Sequence, residues 1–209
     1  MSNLNYDIQP LFPIPVYITS IDRKFTKKEL QFVNEQKKYC VNNTGNFHTK
    51  DTYILNRPEF INIKKFIEEV CQSYLDNVIC PKKDIKIYVT QSWLNYTEQN
   101  QFHHEHSHDN SFASGVLYFD SDKDTDSIKF LNPNSHRQIS PEIDETKYNL
   151  WNSNSWFFSV ETGQVVMFPS STIHKVDIKK NSNVRISLAF NTFLKGKIGS
   201  NIDLTELIL

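Results

Sequence analysis

The second half of the sequence consists of short runs in which neighbouring residues alternate between two faces. In residues 85–95, Ile85, Ile87, Val89, Trp93 and Asn95 share one phase of this alternation. A two-residue period is typical of a β-strand, because successive side chains point to opposite sides of a sheet. Further strands, separated by turn residues, are predicted at 113–119, 127–131, 156–160, 164–168, 174–178 and 184–193. With a short strand just before His106, about eight strands result, which favours a double-stranded β-helix, the jelly-roll or cupin-like barrel.

The first part of the chain predicts an edge strand and two helices. Residues 11–18 contain two prolines, which confine a strand to the edge of a sheet. Thr26 stands three residues before Glu29, a capping-box spacing that predicts a helix to about residue 39, followed by a polar loop at 42–46. Pro58 opens a second helix with apolar residues at helical spacing, to about residue 78.

The fold class expected is therefore mainly β with N-terminal helices. We expect one domain over residues 1–209. Its parts are an N-terminal strand with supporting helices at 1–83, a jelly-roll core at 84–195 with a polar insertion at 135–154, and a tail at 196–209.

Charge and composition narrow the range of partners. The net charge is −1, which gives no bulk attraction to nucleic acid or to an anionic membrane. No apolar run approaches the roughly 20 residues that span a bilayer. Cys40, Cys71 and Cys80 are scattered and odd in number, which predicts reduced thiols and a cytoplasmic location.

Five of the seven histidines lie in two places, at residues 103–108 and at His174. His106 and His108 are two residues apart, so on a strand both imidazoles would point toward one metal ion. His174, on a distant strand, could complete a triad that leaves three coordination positions open for a co-substrate and dioxygen.

Other ligand sets remain open from the sequence. His103 and Glu105 fit the common H-x-E pattern, and a turn could bring His106 and Asp109 together. The alternative to all of these is a polar surface loop whose histidines are solvated.

A second polar signal follows on the last predicted strand. Arg185, Ser187 and Asn191 alternate with apolar residues, so that one face packs on the core and the other enters the barrel. A charged arginine inside a barrel costs several kcal/mol unless a partner neutralises it. A dicarboxylate would do so through a bidentate contact, and the alternative is an internal pair with an Asp or Glu.

With these residues in place, the chain resembles the 2-oxoglutarate/Fe(II)-dependent oxygenases. Within them it is similar to a prolyl-hydroxylase-like family of marine bacteria and their phages. The segments that carry the resemblance are residues 11–17, 92–95, 106–108, 114–119, 130–133, 163–170 and 185–192, together with the tail.

The resemblance implies a role for each matching residue. His106, His108 and His174 would bind the metal. Arg185 and Ser187 would bind the distal carboxylate of 2-oxoglutarate, with added hydrogen bonds from two further residues, Tyr118 and Asn95.

The resemblance also implies the reaction and its cofactors. These are Fe(II), 2-oxoglutarate as co-substrate, O2, and ascorbate as an optional reductant. Oxidative decarboxylation of 2-oxoglutarate would be coupled to hydroxylation of an unknown small-molecule or peptide substrate, such as a peptidyl residue. A homodimer is compatible with this interpretation, and the location would be the host cytoplasm if the chain is phage-encoded.

Two other classes of function stay open. A cupin-like metal-binding module or isomerase would use three histidines without 2-oxoglutarate, and predicts that Arg185 is paired internally. A non-catalytic jelly-roll structural protein predicts a histidine cluster on an outer loop. The insertion at 135–154, with Tyr148 and Trp151, is either a substrate-contacting loop or a solvated excursion.

Overall fold

Two antiparallel β-sheets that face each other form the body of the protein. The computed structural model describes residues 4–82, 85–132, 139 and 141–209. In chain order the strands of this part are β1 (Tyr17–Ser20), β2 (Cys40–Asn42), β3 (Phe47–Thr49), β4 (Lys86–Thr97), β5 (His103–His106), β6 (Ala113–Asp120), β7 (Ser127–Leu131), β8 (Ser155–Ser159), β9 (Gln164–Pro169), β10 (His174–Val176), β11 (Arg185–Lys195), β12 (Lys197–Ile198) and β13 (Leu207–Ile208). The large sheet has the order β1-β9-β6-β11-β4-β3-β2, the small sheet β5-β10-β7-β8, and β12 pairs with β13.

Two α-helices support the large sheet, as predicted. Helix α1 (Lys27–Gln36) begins at Thr26 with a complete capping box to Glu29 and runs on as a 3-10 turn to Tyr39. Helix α2 (Ile61–Tyr74) is preceded by a 3-10 turn that Pro58 opens, and a π-helical turn extends it to Ile79.

The large sheet is buried on both faces, which separates the core from the barrel interior. Its outer face packs on the helices in the main core, which includes Ile63, Ile67, Leu94, Leu117, Leu188 and Phe190. Its inner face meets the small sheet in a second cluster, formed by Tyr118, Ile128, Phe130, Val160, Val166 and Phe168. The packing on the outer face is tight, since a Cβ on Gly115 would lie 2.2 Å from the Phe190 ring.

The architecture confirms a mainly β jelly roll, but the predicted edge strand at 11–18 was only partly correct. Residues 11–16 are not a strand, and β1 begins only at Tyr17, because β9 offers partners to residues 17–20 alone. The loop predicted at 42–46 is present as the turn of a hairpin between β2 and β3. The tail at 196–209 contains the small β12–β13 pair.

Strand β4 also departs from the simple alternation. A bulge at Thr90 shifts its register against β11, so residues before and after it change phase. Ile87 therefore packs on the helix side, whereas Trp93 and Asn95 face the barrel interior.

Some predictions fall wholly or partly outside the described residues. Of the insertion at 135–154, residues 135–138 and 140 lie outside them, and the remainder contains a 3-10 turn at Glu145–Lys147. The domain boundaries at residues 84 and 196 stay a prediction. Among the described residues, no helix is both long enough and apolar enough to span a membrane.

The start of α1 provides a test of stability against pH. Burial would raise the pKa of Glu29, but hydrogen bonds from Arg23 and Thr26 outweigh it and hold the pKa below its ordinary value. A lowered pKa stabilises the fold above the unfolded-state value of about 4.3, and this contribution is lost as the pH falls through the folded-state value.

We therefore expect Glu29→Gln to lower the free energy of unfolding by about 1–2 kcal/mol at pH 7, and by much less at pH 3. Urea denaturation at both pH values measures the difference. Glu68→Gln is the control, because Glu68 is exposed and should cost less than about 0.5 kcal/mol. An equal loss for Glu29→Gln at both pH values would exclude the carboxylate charge as the cause.

Candidate metal centre

A narrow cavity of about 40 Å³ lies between the two sheets and is lined by polar side chains from both. The small sheet and the loop after β5 contribute His103, His106, His108 and His174. The large sheet contributes Trp93, Asn95, Tyr118, Arg185 and Ser187. All seven residues that the sequence singled out for the site therefore line one cavity.

Three of the histidines converge on one point. The ligand nitrogens of His106, His108 and His174 all lie within 4.8 Å of one another. His106 ends β5 and His174 begins β10, where the two residues face each other in register. His108 lies beyond the end of β5, so turn geometry places it, and its backbone N–H donates to the carbonyl of Ser170 at 2.9 Å.

Hydrogen bonds orient two of these rings. Nδ1 of His106 lies 2.8 Å from the carbonyl of His104, and Nδ1 of His174 lies 3.0 Å from the carbonyl of Thr172. A ring nitrogen that meets a carbonyl carries the proton, so Nε2 of each ring keeps its lone pair for a metal.

Burial also keeps the imidazoles neutral. It lowers the pKa of His108 to about 4 and that of His174 to about 3, and the neighbouring imidazoles act in the same direction. The pKa of His106 is lowered by burial as well. Since a metal binds the neutral imidazole, these three side chains are ready for a cation at neutral pH.

His103 belongs to the site although it stands three residues before His106. The pairing of β5 with β10 sets His106 against His174 and His103 against Val176, so β5 carries an extra residue there. Such a bulge turns His103 into the same cavity as His106, and the two rings stack at 4.6 Å. Simple alternation would have placed them on opposite faces, which is why the sequence suggested His103 only with Glu105 and not together with His106.

The acidic alternatives are not brought to this point. Glu105 and Asp109 are exposed. Among the described residues, the groups of three potential ligands are His106, His108 and His174, and the overlapping set of His103, His104 and His106. Neither group includes a carboxylate.

Arg185 is a buried cation at the other end of the cavity, 3% exposed. Its Nη1 donates to the carbonyl of Ser127 at 3.4 Å, and its Nε has no partner. Within the described part of the chain Arg185 forms no ion pair, and the buried acid Asp126 is paired with Lys179 at 3.1 Å. The alternative function, a metal-binding module without 2-oxoglutarate, predicts an internal ion pair for Arg185. Among the described residues this ion pair is not present.

The residues beside Arg185 are also polar and incompletely bonded. Ser187, one step along the inner face of β11, stands in register with Asn95 on β4 and Tyr118 on β6. The Oδ1 of Asn95 is buried without a hydrogen-bond partner. Burial raises the pKa of Tyr118 to about 12, so its hydroxyl stays a donor at neutral pH.

Trp93 lies beside the histidines, toward the end of the cavity away from Arg185. It pairs with Ala189, four residues along β11 from Arg185, and its ring lies 5.9 Å from that of His108. The order along the large sheet is thus Arg185, then Ser187 with Asn95 and Tyr118, then Trp93.

Residues 91–191 match a family model described as "Putative 2OG-Fe(II) oxygenase". The matched segment is the barrel core, just under half of the chain, and the match bears out the predicted resemblance to the 2-oxoglutarate/Fe(II) oxygenases. The family is one of oxidoreductases, so the prediction of an enzyme of this class is confirmed. No curated protein matches the sequence.

Solved structures of low identity share the fold. HygX from Streptomyces hygroscopicus, solved with nickel, 2-oxoglutarate and hygromycin B bound, is 10% identical with a TM-score of 0.59, over 86% of this chain and 82% of that one. A Pseudomonas putida prolyl-4-hydroxylase is 12% identical with a TM-score of 0.53, over 85% and 92%. The α-ketoglutarate-dependent carbocyclase SnoK from nogalamycin biosynthesis is 14% identical with a TM-score of 0.60, over 86% and 79%. At these identities the likeness establishes the fold alone.

The three converging nitrogens lead to a test of metal binding. We expect His108→Ala and His174→Ala to weaken Fe(II) binding at least about 100-fold, because each removes a ligand. Glu105→Ala and Asp109→Ala should stay within about threefold of the wild type, since neither carboxylate belongs to the group. Anaerobic Fe(II) titration measures the affinities, and circular dichroism checks the fold. A larger loss from either acid substitution would instead indicate two histidines and one carboxylate.

Proposed function

We propose that this chain is an Fe(II)- and 2-oxoglutarate-dependent dioxygenase that couples oxidative decarboxylation of 2-oxoglutarate to hydroxylation of a small-molecule or peptide substrate. The observation that carries the proposal is the buried Arg185, which has no carboxylate partner among the described residues and faces the same cavity as three converging imidazoles. Burying a lone cation is costly, and an anionic co-substrate would offset that cost.

In this proposal His106, His108 and His174 hold the metal. Three neutral ligands leave coordination positions open for the 2-oxo acid and for dioxygen. Bound Fe(II) would supply the redox chemistry with dioxygen, which no side chain can provide. The protein would fix the ligands through the carbonyls of His104 and Thr172 and shield them from water.

The co-substrate would lie against the inner face of the large sheet. Arg185 and Ser187 bind its distal carboxylate, the guanidinium through two parallel hydrogen bonds. Tyr118 donates its hydroxyl. Asn95, whose buried amide oxygen has no partner, can present either end of its amide.

The prime substrate would approach from the end of the cavity away from Arg185. Trp93 is partly exposed there, beside His108, and offers a flat apolar wall. HygX was solved with a small molecule and another neighbour is a prolyl-4-hydroxylase, so both substrate classes fit the fold. SnoK, which shares the fold, is a carbocyclase. The fold alone therefore does not specify hydroxylation, which is part of the proposal. A homodimer, the use of ascorbate and a cytoplasmic location stay predictions.

The anchor role of Arg185 can be measured directly. Arg185→Ala should leave Fe(II) bound but weaken 2-oxoglutarate by about 2–5 kcal/mol, or roughly 30- to 4000-fold, because a charge-assisted bidentate contact is lost. Arg185→Lys should recover only part, since an ammonium cannot match the planar fork. Anaerobic titration, followed by the visible absorption of the chelated iron, gives the affinities.

The matched control is Arg57→Ala, which removes an exposed arginine paired with Asp51. It should bind 2-oxoglutarate like the wild type. Equal affinity in the wild type and Arg185→Ala would remove the main support for this function.

Turnover without the prime substrate provides an independent test. With iron, ascorbate and oxygen, the protein should slowly convert 2-oxoglutarate to succinate, because the metal and co-substrate sites do not depend on the target. The His174→Ala variant should form no succinate. If the intact, iron-loaded protein also formed none, a three-histidine binding module would explain the site better.

A further inference from the structure

The end of the barrel that holds Arg185 also contains a buried ion pair. Lys179 and Asp126 lie 3.1 Å apart, and their side chains are 2% and 4% exposed. Lys179 also donates to the side chain of Asn183 at 3.0 Å. Together with Arg185, this region buries two cations and one anion, so one positive charge is left over.

Asp126 is the buried acid next to the backbone contact of Arg185. Arg185 donates to the carbonyl of Ser127, the residue that follows Asp126 in the chain. Burial lowers the pKa of Arg185, and the nearby Tyr118 and Asp126 oppose that effect. The ion-pair partner of Asp126 is nevertheless Lys179.

We infer that Lys179 keeps Arg185 available for the co-substrate by holding Asp126, the buried acid that would otherwise pair with the arginine. Lys179 is then a positioning residue, which acts through Asp126 and does not touch the co-substrate. This inference rests on the proposed function, in which Arg185 binds the distal carboxylate of 2-oxoglutarate.

The surrounding backbone fixes the pair in this arrangement. The N–H of Lys179 donates to the carbonyl of Gln101, and its own carbonyl accepts from Asn100, both at 2.8 Å. The second carboxylate oxygen of Asp126 accepts from the N–H of Asp122 at 3.0 Å. These hydrogen bonds hold the Lys179 backbone and the Asp126 carboxylate in this arrangement.

A purely structural role for the pair makes a different prediction. If the pair only joins the neighbouring turns, loss of either partner should lower the free energy of unfolding. Either loss should then change 2-oxoglutarate binding to the same extent. If it controls Arg185, only loss of the lysine should weaken 2-oxoglutarate, and removal of the acid as well should restore binding.

The experiment compares the wild type, Lys179→Met, Asp126→Asn and the double variant, each loaded with Fe(II) and titrated anaerobically with 2-oxoglutarate. Lys179→Met should raise the apparent Kd about tenfold if Arg185 then pairs with Asp126 in roughly nine molecules out of ten. Its Fe(II) affinity should not change, since the metal ligands are untouched. Asp126→Asn and the double variant should stay within about threefold of the wild type.

Three outcomes would overturn the inference. They are a wild-type Kd in Lys179→Met, a double variant as weak as Lys179→Met, and a loss of tenfold or more in Asp126→Asn. The Asp126→Asn variant tests the inference even if Lys179→Met does not fold, because asparagine has the same shape as aspartate. Equal Kd values for the wild type and Arg185→Ala would instead refute the proposed function itself.

Discussion

Strand β11 is the element on which both the core and the site depend. It is paired on both sides, with β4 along its whole length and with β6 over most of its first half. Ile186, Leu188 and Phe190 pack in the main core, while Arg185 and Ser187 line the cavity. A slip of one residue would exchange the two sets, burying a cation among the helices, so the register of the core also fixes the register of the site.

The same alternation explains what could be predicted from the sequence. Most strands could be predicted from the two-residue alternation of neighbouring side chains. The same alternation predicted that Arg185 and Ser187 point toward the barrel interior. The capping box at Thr26 is equally local and correctly placed the start of α1. His106 and His174 were paired correctly because each lies at the end of a recognisable strand.

What could not be predicted depends on breaks in that period or on distant contacts. The bulge in β5 that turns His103 inward, and the one at Thr90 in β4, appear only when the partner strand is known. Likewise, Asp126 and Lys179 are separated by most of the small sheet along the chain, and nothing local links them. His108 was predicted to point inward as part of a strand, whereas a turn held by the carbonyl of Ser170 places it.

The fluorescence of Trp93 can report on metal binding at the histidines. Its indole lies beside His108 inside the barrel, whereas the other two tryptophans, Trp151 and Trp156, are 40% and 37% exposed. An open-shell ion at the histidines would quench the emission of the nearest indole most strongly. The wavelength profile of the lost emission would then distinguish the more enclosed indole of Trp93 from the two exposed ones, so occupancy of the centre can be followed without a label.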